Sequence, residues 1–359
     1  MKRIGAGILA MLLAASVFAG CAAKPQESSA IETTPSAAET SAEQTEASKE
    51  AVIEPNAEPV DVRVSAMKGP TAMGMVELMD LVDRGEVSSN RYHFELLSAV
   101  DEIAPKIAKG EVDIAAVPAN LASVLYNNTE GQVQTLVINT LGVLYICETG
   151  DAVHSVADLK GKTLYASGKG ATPEYALRYI LEKNGVNADT DLRIEWKSEH
   201  AECVAALASD PEGIALLPQP FVTAAQAKND KIRVALDLNE AWNAIQNKDD
   251  ASRLLTGVVI VRKQFAEQNP QAVKDFLEKY KASVAYTNAN VAAAAALCGS
   301  YDIIAEPVAK KAIPLCNIVY IDGSEMKASL AGYLGVLFQQ NPKSVGGKLP
   351  ADDFYYGAE

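Results

Sequence analysis

The chain has 359 residues, of which 22% are charged and 48% hydrophobic, and its formal net charge is −14 at pH 7. A chain this acidic, without a cluster of Lys and Arg, is a poor partner for nucleic acid or for an anionic membrane surface. Its length exceeds what one ordinary hydrophobic core accommodates and favours two domains.

The first residues have the order of an export signal. Lys2 and Arg3 precede a run of fifteen apolar or small residues (4–18), and two small residues separate that run from Cys21. A basic head, a short apolar run and small residues before a cut site are typical of a signal peptide. Fifteen helical residues rise about 22 Å, which is short for a hydrocarbon core of about 30 Å. An uncleaved membrane anchor is therefore the less favoured alternative.

The residues before Cys21 resemble the lipobox of bacterial lipoproteins, in which the cysteine thiol receives diacylglycerol before cleavage. Phe18 stands where that family prefers Leu. The resemblance implies a signal peptide over residues 1–20 and a product that is lipid-anchored to the extracytoplasmic face of the cell membrane. An ordinary signal-peptidase cut near Ala19 is the alternative.

The segment after the cysteine has the composition of a spacer. Residues 22–58 hold eight Glu against Lys24 and Lys49, with many Ala, Ser, Thr and Pro. Such a segment cannot bury enough apolar surface to offset the entropy of ordering it. We therefore predict that residues 21–58 comprise the lipidated cysteine and a disordered acidic spacer.

From residue 60 onward, strand and helix patterns alternate. The first unit is predicted to have strands at 62–67, 92–98, 112–117, 133–139 and 144–148, with helices at 71–83 and 101–109 and a turn at 118–120. The second is predicted to have strands at 163–166, 192–196, 213–217, 232–236 and 254–261, with helices at 174–184 and 201–208. Everything beyond residue 264 is predicted as helical: 270–288, an Ala-rich segment to 297, 307–315 and 324–340. Alternation at this pitch predicts an α/β fold with parallel strands, in two units between which the chain crosses more than once.

Cysteines and histidines give no sign of a metal site. Apart from Cys21 there are four cysteines, none in a Cys-x-x-Cys spacing, and we expect them to be buried free thiols. A disulfide between Cys298 and Cys316 is the alternative. The cluster at 199–203 (Glu-His-Ala-Glu-Cys) is predicted to form the first turn of a solvated helix, since adjacent helical residues do not share a face. No P-loop, Gly-x-Ser-x-Gly, His-Glu-x-x-His or dinucleotide pattern is present, so we expect no catalytic residue, no metal and no cofactor.

Four short segments carry a family resemblance. They are residues 109–115 (Lys-Gly-Glu-Val-Asp-Ile-Ala), 156–162 (Val-Ala-Asp-Leu-Lys-Gly-Lys), 168–172 (Gly-Lys-Gly-Ala-Thr) and 216–220 (Leu-Leu-Pro-Gln-Pro). In order and spacing they resemble type II periplasmic binding proteins of the aliphatic-sulfonate, nitrate and thiamine-precursor group, which are solute receptors of ABC importers. The resemblance implies two lobes joined by two hinge crossovers, C-terminal helices, and a ligand in the cleft.

This resemblance also implies a domain division and a function. Lobe 1 is expected to comprise residues 59–145 and 260–345, lobe 2 residues 146–259, and the C-terminal tail residues 346–359. We expect a monomeric receptor that delivers a small polar molecule, an organic anion ahead of a pyrimidine-like heterocycle, to an ABC permease and ATPase complex. The alternatives are an enzyme on the same fold, of the menaquinone-pathway dehydratase or thiamine-pyrimidine synthase type, and a sensor or adhesin without a transporter. The export signal counts against the enzymes, because those pathways are cytoplasmic.

Candidate ligand-binding residues follow the strands, because ligands of open α/β sheets lie beyond the carboxyl ends of the strands. The candidates are Met67, Lys68, Thr71, Ser98, Pro118, Ala119, Asn120, Lys169, Gly170, Ala171, Thr172 and Gln219. Ser98 and Asp101 are alternatively caps of the next helix. Tyr92 and Tyr165 are either near the cleft or in the core.

The chemistry of these candidates favours a polar ligand. Thr172 followed by Pro173 predicts an N-cap with proline at the first helical position, and the free N–H groups there suit an anionic or strongly polar group. Lys68 and Lys169 are the candidate cations. Asn120 and Gln219 are the candidates for hydrogen bonds to a neutral group.

Overall fold

The computed structural model describes residues 58–98, 102–247 and 252–358. The predicted export signal, Cys21 and nearly all of the spacer lie outside the described residues. The strands are β1 (Asp61–Met67), β2 (Arg91–Leu97), β3 (Ile114–Pro118), β4 (Val133–Leu141), β5 (Leu144–Glu148), β6 (Thr163–Ala166), β7 (Arg193–Trp196), β8 (Ile214–Pro218), β9 (Arg233–Asp237), β10 (Leu255–Arg262) and β11 (Ile318–Ile321). The helices are α1 (Pro70–Met73), α2 (Val76–Asp83), α3 (Ile103–Ala108), α4 (Ala119–Asn128), α5 (Thr172–Lys183), α6 (His200–Ser209), α7 (Phe221–Lys228), α8 (Leu238–Ala244), α9 (Lys263–Gln268), α10 (Pro270–Ala289), α11 (Val291–Ser300), α12 (Glu306–Ala312) and α13 (Gly323–Gln340).

The described strands form two sheets, in the orders β11-β4-β10-β3-β1-β2 and β7-β6-β8-β5-β9. The α/β prediction is confirmed, but the prediction of parallel strands is only half right, because each sheet is mixed. β1 pairs in parallel with β2 and β3, and β6 in parallel with β7 and β8. β10 is antiparallel to β3 and β4, and β5 is antiparallel to β8 and β9.

The chain crosses between the sheets at two neighbouring places. One crossing is Gly142–Val143, between β4 and β5, and the other precedes β10 at Leu254. A Cβ atom on Gly142 would lie 2.7 Å from the Leu254 side chain, so the two crossings touch. The boundaries expected at 145/146 and 259/260 both fall inside strands, since β5 pairs in the second sheet and β10 in the first over their whole lengths.

Several elements differ from the sequence prediction. Helix α4 begins directly after Pro118, where a turn was predicted, and no side chain caps its first turn. Helices α7 and α8 were also missed. The predicted helix over 71–83 is broken at Gly74, where a Cβ atom would lie 3.1–3.2 Å from the Val284, Ile318 and Tyr280 side chains. Strand β11 interrupts the region predicted as wholly helical and pairs with β4.

A buried carboxylate ties the middle of the first sheet together. The Asp113 side chain, which is fully buried, accepts hydrogen bonds from Arg63 Nε and Nη2 at 2.8 and 2.7 Å and from Arg262 Nη2 at 2.6 Å. Asp113 immediately precedes β3 and joins it to β1 and β10, at the opposite end of the strand from Pro118. Burial alone would raise the pKa of Asp113, but the bonds from the two arginines outweigh it and hold the pKa below its usual value.

The C-terminal residues pack on the body. Helix α13 contacts α5 and α4, and the ring of its Tyr333 lies 5.9 Å from that of Trp242 in α8. Farther on, Phe354 is fully buried and Tyr355 forms a bridge with Thr135 in β4. Residues 346–358, predicted as a tail, are thus docked on the first sheet.

The cysteines of the described part agree with the expectation of buried free thiols. Its cysteines are free and buried: Cys147, Cys203, Cys298 and Cys316. Among the described helices, none is both long enough and apolar enough to cross a bilayer.

Replacing Asp113 with Asn should lower the free energy of unfolding at pH 7 by about 3 kcal/mol, because it leaves two arginines without their buried partner. The loss should shrink as the pH falls below about 4, since a carboxylate with a depressed pKa stabilises the fold only while ionised. Urea unfolding at both pH values measures the effect. Asp61→Asn is the control, because Asp61 and its partner Arg91 are both exposed. Equal losses in the two variants would show that burial of Asp113 is unimportant.

Candidate functional site

A cavity of about 460 Å³ opens where the strand ends of both sheets meet the two crossings. The first sheet contributes the carboxyl ends of β1 and β3 with the starts of α1 and α4, and the second contributes the end of β8 with the starts of α5 and α6. The lining residues are Met67, Lys68, Pro70, Thr71, Pro118, Asn120, Leu121, Val143, Leu144, Ala171, Thr172, Pro173, His200, Pro218, Leu254, Leu255 and Thr256. Convergence of strand ends at one crevice is where ligands of open α/β sheets bind.

Most of the residues predicted from the sequence lie together at this cavity. Those on its wall are Met67, Lys68, Thr71, Pro118, Asn120, Ala171 and Thr172. Those not on its wall are Ser98, Ala119, Lys169, Gly170 and Gln219. The strand-end rule thus found the main turns but not the direction of each side chain.

Local contacts or exposure account for the position of each of these five residues off the cavity wall. Ser98 directly follows β2, an edge strand, and is exposed, while Ala119 is the first residue of α4 and is buried. Lys169 is exposed to solvent. The Gly170 N–H donates to Glu174 Oε2 at 2.7 Å. Gln219 is buried, and its Oε1 accepts a hydrogen bond from the Thr223 hydroxyl at 2.9 Å.

Two aromatic residues considered for the cleft lie elsewhere. Tyr92 is buried in the first-sheet core, and its hydroxyl donates to Asp275 at 2.7 Å. The Tyr165 hydroxyl donates to Asp210 at 3.1 Å, and Tyr165 is not on the cavity wall. Asp101 lies outside the described residues.

Half of the ten described wall residues that the sequence prediction missed lie at or next to the two crossings. Val143 lies in the first crossing and Leu144 begins β5, while Leu254 lies in the second crossing and residues 255–256 begin β10. Their apolar character fitted a core strand equally well, so the sequence held no signal for them. For His200 the sequence did hold a signal, because this residue follows β7 and begins α6.

Helix α1 forms the first-sheet wall and is held close to β10. The Thr71 hydroxyl donates to the Met67 carbonyl at 2.8 Å, and Asn139 Nδ2 donates to the Thr71 carbonyl at 3.0 Å. A Cβ atom on Gly257 would lie 2.3 Å from Thr71 Cγ2 and 2.5 Å from Asn139 Oδ1. This approach of α1 to β10 therefore requires glycine at 257.

The cation on the wall already has a partner. Lys68 Nζ lies 2.6 Å from Asp302 Oδ2, and the Asp302 side chain is almost fully exposed. The hydrogen bond from Lys68 lowers the pKa of Asp302 below its usual value. An exposed pair of this kind is weak, so Lys68 meets the solvent edge of the cavity as half of an ion pair.

The start of α5 differs by one residue from the prediction. Ala171 is the N-cap, so Thr172 is the first helical residue and Pro173 the second. The Thr172 hydroxyl instead donates to Asn120 Oδ1 at 3.5 Å and accepts a bond from the Tyr333 hydroxyl at 3.2 Å. A weak polar link thus joins α5 of the second sheet to α4 and α13.

His200 is a partly buried imidazole on the cavity wall. Its Nδ1 lies 2.5 Å from the Oγ atom of the buried Ser167, and its ring centroid is 5.0 Å from that of Phe221. Burial lowers the pKa of His200 below 6.5. Within the described parts of the chain, no group of three or more His, Cys, Asp or Glu side chains is arranged to hold a metal ion.

Comparison with known proteins assigns the fold and the family. The model of the family described as ABC transporter, phosphonate, periplasmic substrate-binding protein matches residues 76–304, more than half of the chain. The chain belongs to this family. The predicted resemblance to ABC-importer binding proteins is thereby confirmed. No curated protein sequence matches the chain.

Solved structures of ABC binding proteins share the fold of this family member. An ABC transporter protein from Parabacteroides distasonis is 22% identical, with a TM-score of 0.68 over 82% of this chain and 98% of its own. The periplasmic aliphatic sulphonate binding protein SsuA from Escherichia coli is 17% identical, with a TM-score of 0.65 over 84% and 94%. The alkanesulfonate-binding protein SsuA from Xanthomonas axonopodis, bound to MOPS, is 17% identical, with a TM-score of 0.55 over 82% and 96%. The expected periplasmic-binding-protein fold is confirmed.

The lowered pKa of His200 predicts a pH-dependent stability. The unfolded chain takes up a proton near pH 6.5, whereas the folded protein resists it, so stability should fall as the pH drops below 6.5. A His200→Gln variant should therefore lose less free energy of unfolding than the natural chain between about pH 7.5 and about pH 5.5. Urea unfolding at the two pH values measures the difference. His154→Gln, at an exposed histidine, is the control; identical slopes for all three proteins would contradict the prediction.

Proposed function

We propose that this protein captures a small organic molecule in the cleft between its two sheets and delivers it to a permease and ATPase complex of an ABC importer. The observation that carries the proposal is the 460 Å³ cavity, at which the strand ends of both sheets and both crossings converge. Family membership supports the transport role. In this proposal the protein acts as a receptor and catalyses no reaction.

Closing of two lobes explains how such a cleft would work. The crossings at Gly142–Val143 and Leu254 are the short segments about which the sheets can rotate. A ligand that contacts both walls binds the closed form better than the open form and so shifts the population toward it. The permease complex would recognise and bind that closed form.

Ligand binding should be lost when the cavity is blocked. In calorimetry against a panel of small organic solutes, a ligand at 100 times its Kd should stabilise the protein by about 2.7 kcal/mol. Leu121→Arg, which places a cation on the cavity wall, should abolish the effect. Leu349→Arg is the control, because Leu349 is 44% exposed and lies outside the cavity.

A reconstituted system distinguishes the transport function from the two alternatives, an enzyme and a sensor. The ligand-loaded receptor should stimulate the ATPase of its permease complex, and Leu121→Arg should not. Steady turnover of a compound would instead favour an enzyme on this fold. Tight binding without any stimulation would favour a sensor.

We also propose that Cys21 is lipidated and that the acidic spacer holds the body away from the membrane. The support is the order of residues 1–21, with a basic head, an apolar run and a cysteine after two small residues. Localisation at the extracytoplasmic face of the cell membrane follows from that proposal. A lipid chain together with a spacer keeps a receptor near its permease without restricting closure of its lobes.

Replacing Cys21 with Ser should release the protein from the membrane, because the thiol that accepts the lipid is lost. Fractionation of cells followed by immunoblotting of the soluble and membrane fractions measures the release. Cys147→Ser is the control and should stay membrane-bound, since that thiol is buried in the folded body. Retention of the Cys21→Ser protein would identify the apolar segment itself as the anchor.

A further inference from the structure

Helix α13 packs on both lobes of the body at once. It contacts β4 and α4 of the first-sheet lobe and α5 of the second-sheet lobe. One apolar cluster contains its buried side chains together with Ala122 of α4, Ile138 of β4 and Ala176 of α5. The buried side chains of α13 are Met326, Leu330, Tyr333, Leu334 and Leu337. We call α13 and the short helical turn after it, residues 323–345, the strap.

The end of the strap is anchored to the first-sheet lobe. The Ser344 carbonyl accepts a hydrogen bond from Asn120 Nδ2 at 3.2 Å. The Val345 carbonyl accepts bonds from Ser123 Oγ and Asn127 Nδ2, each at 2.8 Å. All three donors lie on α4, whose first turn lines the cavity. The strap is therefore bonded directly to the helix that forms part of the first-sheet wall.

The strap also makes two hydrogen bonds to the second-sheet lobe. The Tyr333 hydroxyl donates to Thr172 Oγ1 at 3.2 Å, and Asn341 Nδ2 donates to the Tyr175 hydroxyl at 2.8 Å. Thr172 and Tyr175 both lie at the start of α5, and Thr172 lines the cavity. The Tyr333 ring packs against that of Trp242 in α8, with the centroids 5.9 Å apart. The strap thus joins α4 to α5 beside the cavity.

We propose that the strap is a latch that holds the two walls of the cleft together, and that the lobes separate only when α5 is released from it. The walls meet at the two helix starts, where Thr172 Oγ1 lies 3.5 Å from Asn120 Oδ1. A bond of that length is weak, so the resistance to opening comes from the strap. Release is expected at α5, because two bonds hold the strap there and three hold it to α4. This inference rests on the lobe movement of the proposed function and adds a conformational control to it.

Removal of two tyrosine hydroxyls tests the latch, because phenylalanine keeps each ring in place. In Tyr175→Phe/Tyr333→Phe the released form should be at least about fivefold more populated than in the natural chain, since each hydrogen bond favours the bonded form by about twofold to about tenfold. The matched control is Tyr92→Phe/Tyr126→Phe. Both of its hydroxyls belong to buried tyrosines and donate to carboxylates within the first-sheet lobe, so the control leaves the bonds of the strap intact.

Trp242 reports the released form. Its indole is fully buried and packs against Tyr333, so acrylamide reaches it only when the structure opens there. The chain has two tryptophans, and Trp196→Phe in every protein leaves Trp242 alone. The acrylamide quenching constant should rise at least about fivefold in the Tyr175→Phe/Tyr333→Phe protein and stay unchanged in the control. Small-angle X-ray scattering of the same samples should show a larger radius of gyration in that protein alone.

The outcomes separate the latch from the receptor function. Unchanged quenching in the Tyr175→Phe/Tyr333→Phe protein would overturn the latch, and so would an equal rise in the control, which would indicate general loosening. A rise in quenching at an unchanged radius of gyration would show that the strap detaches without any separation of the lobes, and would overturn it too. Neither measurement uses a ligand, so each of these results leaves the receptor function standing. That function fails separately, if calorimetry against the solute panel detects no binding.

Discussion

The antiparallel pairing of β10 with β4 is the constraint on which the architecture depends. The chain leaves the first sheet after β4, builds the whole second sheet, and returns as the strand next to β4. Because departure and return are neighbours, the two crossings must touch, as Gly142 and Leu254 do. The same pairing places both crossings at the strand ends, so the connection between the lobes is also the floor of the cavity. The segments that join the lobes therefore also line the candidate site.

Prediction from the sequence succeeded where the signal was local. Each of the strands predicted in the two α/β units matches an observed strand to within two residues at either end, and the rule that ligands lie beyond strand ends led to Met67, Asn120 and Thr172. Prediction from the sequence failed where the position of a residue depends on pairing between strands far apart in the chain. Leu254 and Leu255 read as core residues, and only the return of β10 beside β4 turns this segment toward the cavity.

The local sequence pattern also did not predict the direction in which each side chain points. Gln219 lies in the predicted turn, yet it bonds to Thr223 within its own lobe. Gly170 lies in the predicted anion cradle, yet its N–H serves Glu174. In both cases the motif positions the backbone correctly, and a residue four positions later in the chain takes one polar group: Thr223 donates to Gln219 Oε1, and Glu174 accepts from the Gly170 N–H. A family motif predicts a turn more reliably than it predicts what the turn binds.

The burial of the four cysteines has a practical consequence for watching the cleft move. Burial raises the pKa of Cys147, Cys298 and Cys316 to about 12 and raises that of Cys203 as well, so these thiols stay protonated and unreactive in the folded protein. The body is in effect a cysteine-free background for thiol labelling. One exposed cysteine introduced on each lobe, in a chain whose Cys21 is replaced, would carry a dye pair without removal of any native core thiol. Distances between the lobes can then be followed one molecule at a time in an undisturbed core.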